Sequence, residues 1–203
     1  MKTMTLATGL AAVLASATPA FGKGRVTIET FGSNKGILGE LKAGTGVTET
    51  ADVEYFGRLR LFRGYDGKNR TFMNNVLSAG EVLGFRILGQ ARLVKDEIVP
   101  YGGVSRSFHG DDWNIYAEAT SSIQEVPTGE VLVNGSYSLG NLFAFEVEQI
   151  AALNEQVWNA SSRAHLGLKL SPGVMVGVAG EVDYAKDLPT ETKVGGYFRL
   201  GGL

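Results

Sequence analysis

Apolar and polar residues alternate along most of this chain with a period of two. That is the pattern of β-strands with one face against an apolar phase. The alternation is clearest from Val157 to Leu203. Trp158, Ala160, Ser162, Ala164, Leu166, Leu168 and Leu170 share one face there, and Asn159, Ser161, Arg163, His165, Gly167 and Lys169 the other. A second run sets Val174, Val176, Val178, Gly180, Val182 and Tyr184 against Met175, Gly177, Ala179, Glu181 and Asp183. A third sets Thr192, Val194, Gly196, Phe198 and Leu200 against Lys193, Gly195, Tyr197 and Arg199. Ser171-Pro172-Gly173 makes a tight turn between the first two, and a longer polar loop, Ala185–Glu191, separates the last two.

Upstream, Val53, Tyr55, Gly57, Leu59 and Leu61 oppose Glu54, Phe56, Arg58, Arg60 and Phe62. Thr71–Ser78 is a weaker run. Leu83, Phe85, Ile87, Gly89, Ala91 and Leu93 oppose Gly84, Arg86, Leu88, Gln90 and Arg92, and Ile98–Ser107 follows with Pro100 inside it. Trp113, Ile115, Ala117 and Ala119 oppose Asn114, Tyr116, Glu118 and Thr120. Val131, Val133, Gly135, Tyr137 and Leu139 oppose Glu130, Asn134, Ser136 and Ser138, and after Gly140-Asn141 the residues Phe143, Phe145, Val147 and Ala151 oppose Ala144, Glu146 and Glu148.

Counting from Val53 predicts an all-β, up-and-down antiparallel transmembrane barrel of about ten strands. Twelve is the alternative if 25–50 adds a hairpin, and eight if the weak runs fail. Strands of about ten residues suit a bilayer crossing. Aromatics sit toward strand ends (Tyr55, Trp113, Tyr137, Trp158, Tyr184, Phe198), as interfacial girdles do. Connections alternate in length: 63–69, 122–128, 152–156 and 184–191 are long, while 79–81, 108–111, 140–141 and 171–173 are short. The exception is 95–97, which falls on the long side and is short. Long outer loops and short periplasmic turns give that rhythm.

Three regions follow: a secretory signal over 1–22, an N-terminal stretch over 23–50 that is a periplasmic lead-in, a plug or an extra hairpin, and the barrel over 51–203. The signal reading rests on Lys2, a short apolar core from Met4 to Leu14, and small-residue cleavage sites at Ala15-Ser16-Ala17 and Ala20-Phe21-Gly22, with the cut preferred after Gly22. The net charge of −2 argues against nucleic acid as a partner. There is no cysteine and there are only two histidines, which excludes thiolate and histidine-rich metal sites, so neither metal nor cofactor is expected. The 28 glycines recur inside the strand runs, where barrels use glycine to bend crowded walls.

These alternating runs, from Val53 to Leu200 together with the signal, resemble the small Gram-negative outer-membrane β-barrel proteins and porins. The resemblance implies an outer-membrane location, lipid around the apolar face, and the barrel assembly machinery as a partner. Such proteins usually end on an aromatic residue that this machinery reads, whereas Phe198 here is followed by Arg199-Leu200-Gly201-Gly202-Leu203.

With the apolar face toward lipid, the lumen is lined by Arg58, Arg60, Arg86, Arg92, Glu118, Glu146, Glu148, Arg163, His165, Lys169, Glu181, Asp183, Lys193 and Arg199. If the last strand closes onto the Val53 strand, the bases on the first, third and last strands form one basic sector, facing acids on the later strands. The reading preferred is a narrow channel with opposed basic and acidic walls, passing small polar or anionic solutes. In the alternative, the interior is closed by pairs such as Glu146 and Glu148 with Arg163 and His165, and the barrel is structural or adhesive, binding partners through its outer loops. A soluble lipocalin-like barrel would reverse the faces and bind a ligand inside. An enzyme is not expected. Ser161 and His165 lie roughly 13 Å apart along a strand, too far to act as nucleophile and base, and His109 with Asp111 and Asp112 reads as a turn.

Overall fold

The computed structural model describes residues 25–48, 53–94, 97–153 and 158–201. The signal reading for 1–22 lies outside the described residues. The wall consists of twelve strands: β1 (Arg25–Gly32), β2 (Gly36–Thr48), β3 (Val53–Gly64), β4 (Asn69–Val82), β5 (Phe85–Val94), β6 (Glu97–His109), β7 (Trp113–Ser122), β8 (Gly129–Leu139), β9 (Phe143–Leu153), β10 (Trp158–Ser171), β11 (Val174–Ala185) and β12 (Glu191–Gly201). Each pairs antiparallel with its sequence neighbours, and β1 closes the ring on β12. The closing seam runs in continuous register from Arg25↔Gly201 to Gly32↔Val194. Closure leaves no free strand edge, so backbone donors and acceptors along the wall are paired without water.

Twelve strands is the alternative count rather than the ten preferred from the alternation. The difference is the β1–β2 hairpin. Its outward positions on β2 include Gly39 and Ala43, too small to give a strong apolar beat, while Glu40 and Lys42 point inward. The hairpin also corrects the closure expected above, because β12 meets β1 and not the Val53 strand.

The turn between β4 and β5 also shifts. It falls at Leu83-Gly84, with φ of 55° and 79°, and not at 79–81. Two consecutive left-handed residues make the tight reversal whose twist matches antiparallel strands. Gly80, at φ 63°, instead takes up a bulge between Ala79 and Glu81. Similar register shifts fall at Gly46/Thr48 on β2 and Lys169/Ser171 on β10, so all three bulges sit just before connections at one end of the barrel. This end, with turns such as 83–84 and 172–173, is the turn end; the opposite end, with 65–68, 123–128 and 186–190, is the loop end. Pro100 lies within β6 opposite Ala91, and its carbonyl accepts from the Ile123 N–H at 2.9 Å.

The faces sort by polarity in the direction opposite to a soluble barrel. Leu77, Ile87, Val131, Phe145, Leu166, Val178 and Val194 are exposed on the outer surface. The buried set is dominated by charged and polar side chains, among them Glu29, Glu40, Arg58, Glu118, Arg163, Glu181 and Arg199. A wall apolar outside and charged inside matches a bilayer, because water would leave the outer leucines and valines uncovered. Replacing outward Leu166 with arginine is therefore expected to cost about 2–4 kcal/mol in a bilayer. Denaturant unfolding in lipid vesicles measures it; an unchanged midpoint would mean that this face does not meet hydrocarbon.

Candidate functional site: a charged network across the lumen

Inward positions are set by strand register. On β10 they are the odd residues, so Arg163, His165 and Gly167 project inside while Ala164, Leu166 and Leu168 face out. Arg163 is the centre. Its side chain is 1% exposed and lies 2.8 Å from Glu29 on β1 and 2.9 Å from Glu40 on β2, and it is ion-paired to Glu181 on the adjoining β11. Arg58 on β3 donates to Glu40 at 2.8 Å and to Glu148 at 2.9 Å. Since β9 lies diametrically across the ring from β3, the Arg58–Glu148 pair spans the lumen. Arg60 reaches Glu40 and Glu181 at 2.7 Å. Lys42 sits 3.2 to 3.5 Å from Glu29, Glu40 and Glu148. Lys193 contacts Glu181 at 2.7 Å and is also paired to Asp183. The result is one connected network of five acids (Glu29, Glu40, Glu148, Glu181, Asp183) and five bases (Lys42, Arg58, Arg60, Arg163, Lys193), without net charge.

Toward the turn end, Glu146 is paired with Arg199 and lies 3.3 Å from Arg25. Tyr197 fills the space beside it. Its ring stands edge-on to His165 at 5.0 Å, and an added Cβ would collide with the Tyr197 hydroxyl at Gly167 and come within 2.5 Å of the Tyr197 ring at Gly177. Glycine is therefore required at these inward positions for the tyrosine to seat.

A second network lines β5 to β8. Arg92 pairs with Glu130 at 2.6 Å and stacks on Tyr101 at 4.1 Å, while Gln90 bridges Arg92 and Glu118, and Tyr116 donates to Glu118 at 2.8 Å. Arg86 lies apart, 3.1 Å from Glu54, and Lys169 donates at 3.2 Å to Ser138 near the turn end.

The fourteen residues expected in the lumen therefore divide. Arg58, Arg60, Glu148, Arg163, Glu181, Asp183 and Lys193 join the central network, with His165 3.2 Å from its Glu29; Glu146 and Arg199 pair below it; Arg92 and Glu118 belong to the second network; Arg86 and Lys169 stand apart. Opposed basic and acidic walls are not formed. Glu29 and Glu40 enter between β12 and β3 and interleave the charges. Although Glu146 and Glu148 lie opposite His165 and Arg163 in register, their short contacts go to Arg199 and Arg58. Glu29, Glu40 and Lys42 lie in the 23–50 stretch, for which the alternation assigns no faces, while Gln90 and Glu130 fall on polar faces but outside the expected lining set. The beat of Arg25, Thr27, Glu29 and Phe31 was the available signal for the first hairpin.

No family model matches the chain, and no curated protein matches it in sequence. Solved structures do match. The NanC porin superposes with a TM-score of 0.67 at 8% identity, over 89% of this chain and 100% of that one. The KdgM porin superposes with a TM-score of 0.59 at 11% identity, over 88% and 99%; in its complex with oligogalacturonate the values are 0.57 and 12%. This chain thus has the fold of the outer-membrane porins.

Removing Arg163 would leave Glu29, Glu40 and Glu181 short of a buried partner. Breaking such a pair costs about 3–5 kcal/mol, so Arg163→Met is expected to lower the unfolding midpoint in detergent or lipid by that margin. A midpoint within error of the parent would mean that Lys42, Arg58, Arg60 and Lys193 suffice to neutralise those carboxylates without Arg163.

Proposed function

We propose that this barrel is an outer-membrane channel, inserted by the barrel assembly machinery, for passive diffusion of small polar or anionic solutes, with the central network as its constriction. The observation that carries the reading is the lumen itself: an apolar outer wall encloses an interior of charged and polar side chains distributed from one end to the other. Eight strands enclose only side chains, whereas sixteen or more leave a wide aqueous channel. Twelve fall between, which suits a narrow path beside the network. The likeness of fold to NanC and KdgM supports this reading. Rings of fixed charge in a low-dielectric passage sort solutes by sign and size. Because the central network is neutral, selectivity by sign falls to charges outside it.

The second reading, a non-conducting structural barrel, is favoured by one contact: Arg58 and Glu148 meet at 2.9 Å across the ring. The described loops are short, none longer than 123–128, and offer little surface for adhesion.

Planar-bilayer recording separates the two readings. The purified chain is expected to give small discrete conductance steps, and the double substitution Arg58→Ser with Glu148→Ser is expected to raise them about twofold by removing the strut from the constriction. Silence from the parent with steps from the double variant would establish a closed barrel. Silence from both would sink the channel.

A further inference from the structure

Apolar residues facing the lumen of a membrane barrel have no lipid to meet. At the loop end four of them are grouped. Phe31 and Leu38 are 1% and 5% exposed, Phe62 packs against them, and Phe72 follows on β4. Register makes the wall a checkerboard: Leu38 lies opposite Phe62, Phe62 opposite Arg70, and Arg60 opposite Phe72. Gly36 permits it, since a Cβ there would come within 2.8 Å of the Phe62 ring. Leu38, Phe62 and Phe72 face β11 and β12 across a cavity of about 250 Å³, bounded on the far wall by Asp183, Glu191 and Lys193.

Most charges around this vestibule are engaged. Lys193 holds Asp183 and Glu181, Arg60 holds Glu40 and Glu181, and Glu191 accepts from Lys35 at 2.8 Å and Ser33 at 3.0 Å. Arg70 differs. It makes no ion pair with any described residue; Asp66 in the neighbouring turn lies within its field but is paired with Lys68. The Asp66 carboxyl, held below the usual carboxylate range first by the Lys68 backbone N–H, stays charged without Arg70. An exposed guanidinium beside two phenylalanine rings, at the rim of a cavity of small-molecule size, fits one ligand chemistry: a carboxylate on an apolar or aromatic body.

We propose that the vestibule binds small aromatic or apolar carboxylates of about the size of benzoate, with the ring against Phe62, Phe72 and Leu38 and the carboxylate on Arg70. As a solute entry site the assignment rests on the channel reading; as a binding site it does not. A sugar acid of similar size would present hydroxyls to the phenylalanines and forfeit that contact, and acetate would carry the charge without the apolar body.

The test uses the full chain in detergent, titrated calorimetrically with sodium benzoate, sodium acetate and sodium gluconate against detergent blanks. Saturable benzoate binding in the millimolar range or tighter is expected, about tenfold stronger than acetate or gluconate, and weakened about tenfold by Arg70→Gln and by Phe72→Ser. Both variants are expected to fold as the parent does, checked by comparing gel mobility of boiled and unboiled samples of all three, since Arg70 is exposed and Phe72 only partly buried at the start of β4. Acetate or gluconate binding as tightly as benzoate would overturn the proposal, as would benzoate binding unchanged in Arg70→Gln. Bilayer recordings keep the two readings distinct. Conductance steps with no benzoate binding would remove the site and leave the channel. Benzoate binding without steps would leave the site and remove the channel.

Discussion

The pairing of Arg163 is the constraint on which the interior depends. A guanidinium 1% exposed between four strands is tolerable only if carboxylates meet it with good geometry, since an unpaired buried charge costs several kcal/mol. Its acids come from β1, β2 and β11, so their register is not free. A slip of one residue in β1 or β2 would turn Glu29 or Glu40 outward into lipid and bring Ile28 or Leu41 inside. The bilayer penalises the same slip from the other side. Outer apolarity and inner pairing therefore specify one register twice, and the weakly patterned β1–β2 hairpin takes its place between β12 and β3 through its acids.

The network also bears on what the lumen can do. Carboxylates held at 2.8 to 2.9 Å by arginines shared among several acids are poor ligands for passing cations, and the arginines are equally poor ligands for passing anions. Charges satisfied internally narrow the passage without attracting solute. On the proposed channel reading, steric restriction and solute recognition would be separated along the axis: the network would set the bore, and the rim above it, where Arg70 makes no ion pair with any described residue, would be where a solute finds a partner.

Much of the wall was legible in the sequence because alternation reports the side of the wall on which a residue sits. Leu166 against Arg163, or Val178 against Glu181, requires nothing beyond a period of two. Two things were not legible. The hairpin at 25–48 was obscured because Gly39 and Ala43 lie where larger apolar residues would mark a strand, although Glu29 and Glu40 kept the inward beat. The pairing across the lumen was invisible for a different reason. Arg58 and Glu148 are 90 residues apart and meet only because a ring of twelve places β3 opposite β9. With ten strands assumed, the bases of the first and last strands became neighbours and their sector appeared basic. Two additional strands carrying Glu29 and Glu40 reverse that conclusion without moving any residue to the other face.

Phe31 joins the two levels of the interior. Its ring centroid lies 4.9 Å from the Arg163 guanidinium carbon on one side, and the ring packs with Leu38 and Phe62 on the other. It is a cation–π partner for the network and part of the apolar ledge of the vestibule. By excluding water from the loop-end side of Arg163, the ledge lowers the local dielectric and strengthens the ion pairs beneath it. The lumenal phenylalanines thus have a structural reason to exist beside the recognition role proposed for them, and the two separate by position. Phe31 is buried on the network, whereas Leu38, Phe62, Phe72 and Arg70 line the cavity.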